Sequence, residues 1–141
     1  MKRISHYLPQ IFSIFILAFL LNFVWEELHH VLYIRYKGAE ITHVVLLRAA
    51  LFDASFITLT GAFFVFISAM RRRLWIMFVV GVLFAVCLEL WALKTGRWAY
   101  EDAMPLIPLL GTGLTPTVQL GLLGYFSLRA VLGCTSCFDS H

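Results

Sequence analysis

The placement of ionisable residues constrains this chain most: long apolar runs fill nearly all of it, and Lys and Arg fall mainly where those runs end. A helix needs roughly 20 consecutive apolar residues to cross a hydrocarbon core about 30 Å thick. Runs of that kind are expected to form spans at 10–34, 41–70, 74–93 and 116–132. Of its residues 61% are hydrophobic and 13% charged, so no polar block is left to fold separately. We therefore expect residues 1–141 to form a single transmembrane helical domain, an all-α membrane protein built as a four-helix bundle.

Flanking charge sets the expected orientation. Lys2, Arg3, Arg71, Arg72, Arg73 and Arg129 fall on one side, and Arg35, Lys37, Lys94 and Arg97 on the other. Lys and Arg collect on the cytoplasmic side, which gives N-in/C-in and a multi-pass protein of the cell inner (plasma) membrane. The same scatter leaves no groove-sized basic patch, which argues against nucleic acid as a partner. The first apolar run has no small-residue cleavage site after it and reads as a retained helix. Three cysteines, Cys87, Cys134 and Cys137, do not make a disulfide framework. The tail cysteines with His141 could bind metal or be acylated, though a frayed tail is the simpler reading.

Inside the third span, Gly81, Ala85 and Glu89 recur every four residues. Small residues at that spacing let helices approach closely, so this face should pack inward and take Glu89 with it. On the second span, Phe52, Phe56, Phe63, Phe64 and Phe66 suit a lipid-facing surface. Residues 103–113, broken by Pro105, Pro108, Gly111 and Gly113, are too short to span and should form an irregular or re-entrant segment. Thr115 and Pro116 read as an N-cap and first helical residue. Gly111 to Pro116 also resembles a phosphate-cradling loop, without the Lys-Ser or Lys-Thr pair of a nucleotide site.

The membrane-depth polar residues carry the functional question. At about 100° per residue, Asn22, Glu26, His29 and Tyr33 share a wedge of about 60°, with Glu27 and His30 further round. By rise per residue Glu26 lies about 12 Å deep and His29 about 7 Å, while on the other spans Arg48 lies about 10 Å, Asp53 about 18 Å and Glu89 about 6 Å deep, with Gln119 comparably shallow. Ionisable groups there cost about 2.5 to 3.5 kcal/mol each on insertion scales, so they face protein or water and are often functional. An outward-facing polar cavity accommodates them all. The structural alternatives are a Glu26–Arg48 ion pair, an Asp53 hydrogen bond to Thr60 or to a neighbouring helix, a Glu89–Lys94 pair, and interfacial belt positions for His43, Trp98 and Tyr100.

Three functional readings follow. In the first, Glu26, His29, Asp53 and Glu89 do acid–base chemistry on a lipid-like or isoprenoid substrate held by Asn22, Tyr33, Arg48, Arg97, Trp98, Tyr100 and Gln119. A carboxyl group in a low-dielectric site can hold a proton at neutral pH and release it in reaction. In the second, Glu26 and His29, spaced as a helical Glu-x-x-His, bind a metal with Glu89 or Asp53 completing the set. In the third there is no chemistry, and the protein is a proton or solute carrier, working as a homodimer, or a lipid-binding subunit. The expected partner is membrane lipid or a lipophilic small molecule; no cofactor is named by these residues.

A faint echo links Trp25, Glu26, Arg35 and Tyr36 to Glu89, Trp91, Arg97 and Trp98. The run Glu89, Trp91, Ala92, Leu93, Thr95, Gly96, Arg97, Trp98 and Tyr100 continues through Met104, Pro105, Ile107, Pro108, Gly113, Leu114, Pro116 and Gln119. With Asn22, Trp25 and Glu26, it resembles an uncharacterised family of small bacterial four-span integral membrane proteins. That resemblance implies the span count and carries no activity. In plan alone the chain is also similar to sterol-isomerase-like membrane proteins, and plan does not give function.

Overall fold

The computed structural model describes residues 2–138, with side chains over 7–133. Five α-helices and one small sheet follow in the order α1 (Lys2–His29), β1 (Tyr33–Tyr36), α2 (His43–Phe66), α3 (Ser68–Arg71), α4 (Trp75–Lys94), β2 (Trp98–Tyr100) and α5 (Leu114–Phe138). Three segments are long and apolar enough to cross a membrane: Tyr7–Leu32, His43–Phe66 and Trp75–Lys94. α5 is as long, at 25 residues, but Lys2, Arg3, Cys134, Cys137 and His141 have side chains outside the described residues.

Helix ends differ from expectation where local chemistry intervenes. α1 stops at His29, a turn of 3-10 helix covers His30–Leu32, and Tyr33 already lies in a strand. The β-favouring Tyr33, Ile34 and Tyr36 are thus extended, and Lys37 and Gly38, both at positive φ, turn the chain back. α2 ends at Phe66, short of residue 70, because Ile67 takes an extended conformation. Arg71 then folds back and donates to the Val65 carbonyl at 2.9 Å, satisfying a group the helix end leaves free. α4 ends in a Schellman motif: Gly96 at φ +62 donates to the Leu93 carbonyl, and Arg97 to that of Ala92. α5 begins at Leu114, so Thr115 lies inside the helix and its hydroxyl meets the Met104 sulfur instead of capping.

Packing follows the small residues. α1 lies along α2, α4 along α5, and α1 against α5. α4 buries Met77, Gly81, Ala85, Glu89 and Ala92, the face that the four-residue repeat picks out. At its centre Gly81 meets Gly121 so closely that a Cβ on Gly81 would stand 2.5 Å from the Gly121 Cα. Ile14, Ile57, Met77 and Leu128 fill the core. Phe64 joins them at 1% exposure, so it is not a lipid-facing residue, whereas Phe52, Phe63 and Phe66 are exposed.

β1 and β2 pair antiparallel with Tyr36 opposite Trp98. The two echoing segments therefore meet in space, and their ribbon lies across one end of the helices. Residues 103–113 close on themselves through a Leu106–Gly113 bridge and an Ile107 to Thr112 hydrogen bond.

Candidate functional site

Gln119, in the second turn of α5 and 3% exposed, is the joint of the site. Its Nε2 donates to Glu26 Oε1 at 2.8 Å, Asp53 Oδ2 at 3.1 Å and Asn22 Oδ1 at 3.2 Å. Asn22, fully buried, anchors this group by donating to the Ala18 carbonyl at 2.8 Å. One amide therefore ties α5 to α1 and α2. It has two N–H hydrogens for three acceptors, so at least one hydrogen is shared.

Glu89 approaches from α4 at 4% exposure. It accepts from the Tyr100 hydroxyl and, at 3.4 Å, from Trp98 Nε1. The Tyr100 oxygen in turn accepts the Gly113 N–H at 3.0 Å, which occupies the loop that resembled a phosphate cradle. Burial raises the Tyr100 pKa above its usual value, and its hydrogen bond to Glu89 raises it further. Tyr33 is shifted the same way, by burial first and then by the charges of Glu89 and Glu26.

Glu26, Asp53, Glu89 and Gln119 open onto one cavity of about 490 Å³ at the ribbon end of the helices. Tyr33, Tyr36, Arg97 and Trp98 line it near the ribbon, and Val45, Ala49, Phe52, Ala85 and Leu88 form its apolar sides. Its well-exposed lining residues are Arg48, Phe52 and Trp91, on α2 and α4, so its mouth lies between those two helices.

Several expected contacts do not form. Arg48 is exposed and makes no ion pair with Glu26; Gln119 takes its place. Asp53 is held from the neighbouring helix α5 by Gln119, the second of its two expected partners, and not by Thr60, whereas Glu89 is held by Trp98 and Tyr100 and not by Lys94. Among the described residues the one ion pair is His43 with Glu27 at 2.9 Å, outside the cavity lining, with His43 86% exposed. No cation therefore neutralises the three cavity carboxyls within ion-pair distance.

His29 stands apart from the other expected site residues. It packs between Trp25 and Tyr33, with ring centroids 6.1 Å and 5.2 Å away, and does not line the cavity. Neither ring nitrogen has a hydrogen-bond partner; the Trp25 carbonyl one turn back approaches without reaching hydrogen-bond geometry. The change to a 3-10 turn after His29 swings His30 into the cavity wall instead, its Nδ1 fixed on the Glu27 carbonyl at 2.9 Å. A helical wheel continued through Leu32 could not anticipate that.

The metal set Glu26, His29 and Glu89 is not assembled, and no other group of three His, Cys, Asp or Glu suited to a metal occurs among the described residues. No protein-family model, curated protein or solved structure matches the chain. The geometry alone must therefore carry the functional reading. Residues that sequence patterns passed over, His30, Tyr36 and Trp91, line the cavity too; the echo pairing Tyr36 with Trp98 was the one available signal.

Proposed function

We propose that the protein is a four-span inner-membrane protein, N-in/C-in, whose cavity performs acid–base chemistry on a lipid-like or isoprenoid substrate. The carrying observation is that Glu26, Asp53 and Glu89, three carboxyls with no cation within ion-pair distance, line one pocket whose sides are the apolar Val45, Ala49, Phe52, Ala85 and Leu88. A buried amide binds two of them and two aromatic donors bind the third, so their positions are fixed before any substrate arrives. One carboxyl then delivers a proton to a carbon–carbon double bond while another removes a proton from a neighbouring carbon. The bond shifts, or a ring closes, with no net oxidation. Proton transfer by positioned side chains typically contributes about 10² to 10⁴ in rate, within reach of such a site.

The test uses solvent deuterium. Purified protein is incubated in D2O with a lipid extract of its host membrane, and the lipids are read by mass spectrometry for deuterium bound to carbon. Incorporation into one lipid class, lost in Asp53→Asn and Glu89→Gln while both variants keep their helical circular dichroism, is the expected result. No carbon-bound deuterium in any lipid of the extract would sink the acid–base reading.

A further inference from the structure

We infer that the cavity is entered sideways, between α2 and α4, by a lipid whose anionic head, a phosphate or carboxylate, is gripped by Arg48 and Arg97. This rests on reading the cavity as a lipid site and adds the substrate class and the route. Both arginines line the cavity, one from α2 and one just before β2. Among the described residues neither has a carboxylate within ion-pair distance, although three carboxyls open onto the same space. The Arg97 guanidinium lies over the Trp91 ring at 4.2 Å. Stacking uses its face and leaves the N–H fork in its plane available, the geometry that matches a phosphate or carboxylate with two hydrogen bonds.

The rest of the cavity follows the order of a lipid. Arg97, Tyr36 and Trp98 sit at the ribbon end, where cations and amphipathic aromatics meet headgroups. The carboxyl cluster comes next, and below Phe52 the Phe56 and Phe84 rings stack at 4.1 Å and close the gap between α2 and α4. A head held at the arginines therefore directs its chain past Glu26, Asp53 and Glu89 toward an aromatic floor. The ribbon covers the end, so the gap bordered by Arg48, Phe52 and Trp91 is the route by which a chain enters without crossing water.

Tryptophan fluorescence reads this directly, because Trp91 lies beneath Arg97 and Trp98 beside Glu89. The full chain in amphipol is titrated with dodecyl phosphate, dodecanol, inorganic phosphate and dodecyltrimethylammonium. Dodecyl phosphate should bind saturably, and dodecanol should bind about tenfold more weakly or less, as expected for loss of a charge-assisted contact. Arg48→Gln and Arg97→Gln should each weaken dodecyl phosphate by a similar factor. Ala49→Phe, which narrows the gap, should block it while the fold is kept. Equal binding of dodecanol, tighter binding of the ammonium probe, or unchanged affinity in both arginine variants would each overturn the headgroup assignment. Inorganic phosphate binding as tightly as dodecyl phosphate would mean a free-anion site and overturn the lipid route. None of these variants alters Glu26, Asp53 or Glu89. Loss of deuterium transfer with binding intact therefore indicts the chemistry alone, and intact transfer with arginine-independent binding indicts this inference alone.

Discussion

Replacing Gly81 by alanine should destabilise the pairing of α4 and α5. The added methyl would meet the Gly121 Cα at 2.5 Å and its nitrogen at 2.6 Å, where ordinary contact begins at 3.4 Å. These are backbone atoms on a helix and cannot rotate away, so the helices must part by about 0.9 Å. Overpacking of this kind costs about 3 kcal/mol at the upper end of its range, and alanine's better helix propensity returns about 1, leaving ~2 kcal/mol. That net loss is roughly a 30-fold change in the folding equilibrium. Gly61→Ala is the control: its methyl would meet the flexible Leu128 Cδ1 at 3.1 Å, and the two terms nearly cancel. Sodium dodecyl sulfate titration in mixed micelles, followed by near-ultraviolet circular dichroism, measures both. Gly81→Ala as stable as wild type, or indistinguishable from Gly61→Ala, would refute the argument. Because one separation serves both methyls, Gly81→Ala with Gly121→Ala should cost less than the two singly. Since α4 carries Glu89 and α5 carries Gln119, the same shift should also weaken dodecyl phosphate binding.

Gln119→Leu leaves Asn22, Glu26 and Asp53 without their common donor, and the same titration should show a loss of about 1 to 3 kcal/mol, as for buried groups left unsatisfied. An unchanged midpoint would show that the amide is not the joint of the site. The phenols of Tyr33 and Tyr100 are held above their ordinary pKa near 10. A raised pKa means that the folded chain keeps protons the unfolded chain releases, so stability is intact below about pH 10 and declines as pH rises further. Absorbance at the tyrosinate band should accordingly show Tyr33 and Tyr100 resisting titration in the native protein, a resistant fraction that Tyr33→Phe with Tyr100→Phe removes. Absence of that fraction before unfolding would show that their burial is not what the structure gives.

Much of the helical plan was legible because hydrocarbon imposes length and apolarity on one continuous segment, a property local in sequence. The 74–93 span matches α4 within a residue at each end, and the Gly81, Ala85 and Glu89 spacing picks out its buried face. The turns were less legible. Ile67 breaks α2 and Tyr33 leaves α1 early through backbone conformations and cross-strand pairing that no hydropathy run reports.

The sequence by itself determined that carboxyls and amides would lie within apolar spans, and that they must find partners there. Only the tertiary structure decided which partners. Arg48 matched Glu26 in depth, yet depth fixes one coordinate of three; packing left the arginine at the mouth of the cavity and brought Gln119 from 93 residues away to within 2.8 Å of that carboxylate. Likewise His29 and His30 are adjacent in the chain, and the tightening of one helical turn decides which of them faces the cavity. The physical reason is the same in both cases: burial cost depends on residue type and is written locally, whereas hydrogen bonds depend on direction, which packing alone sets.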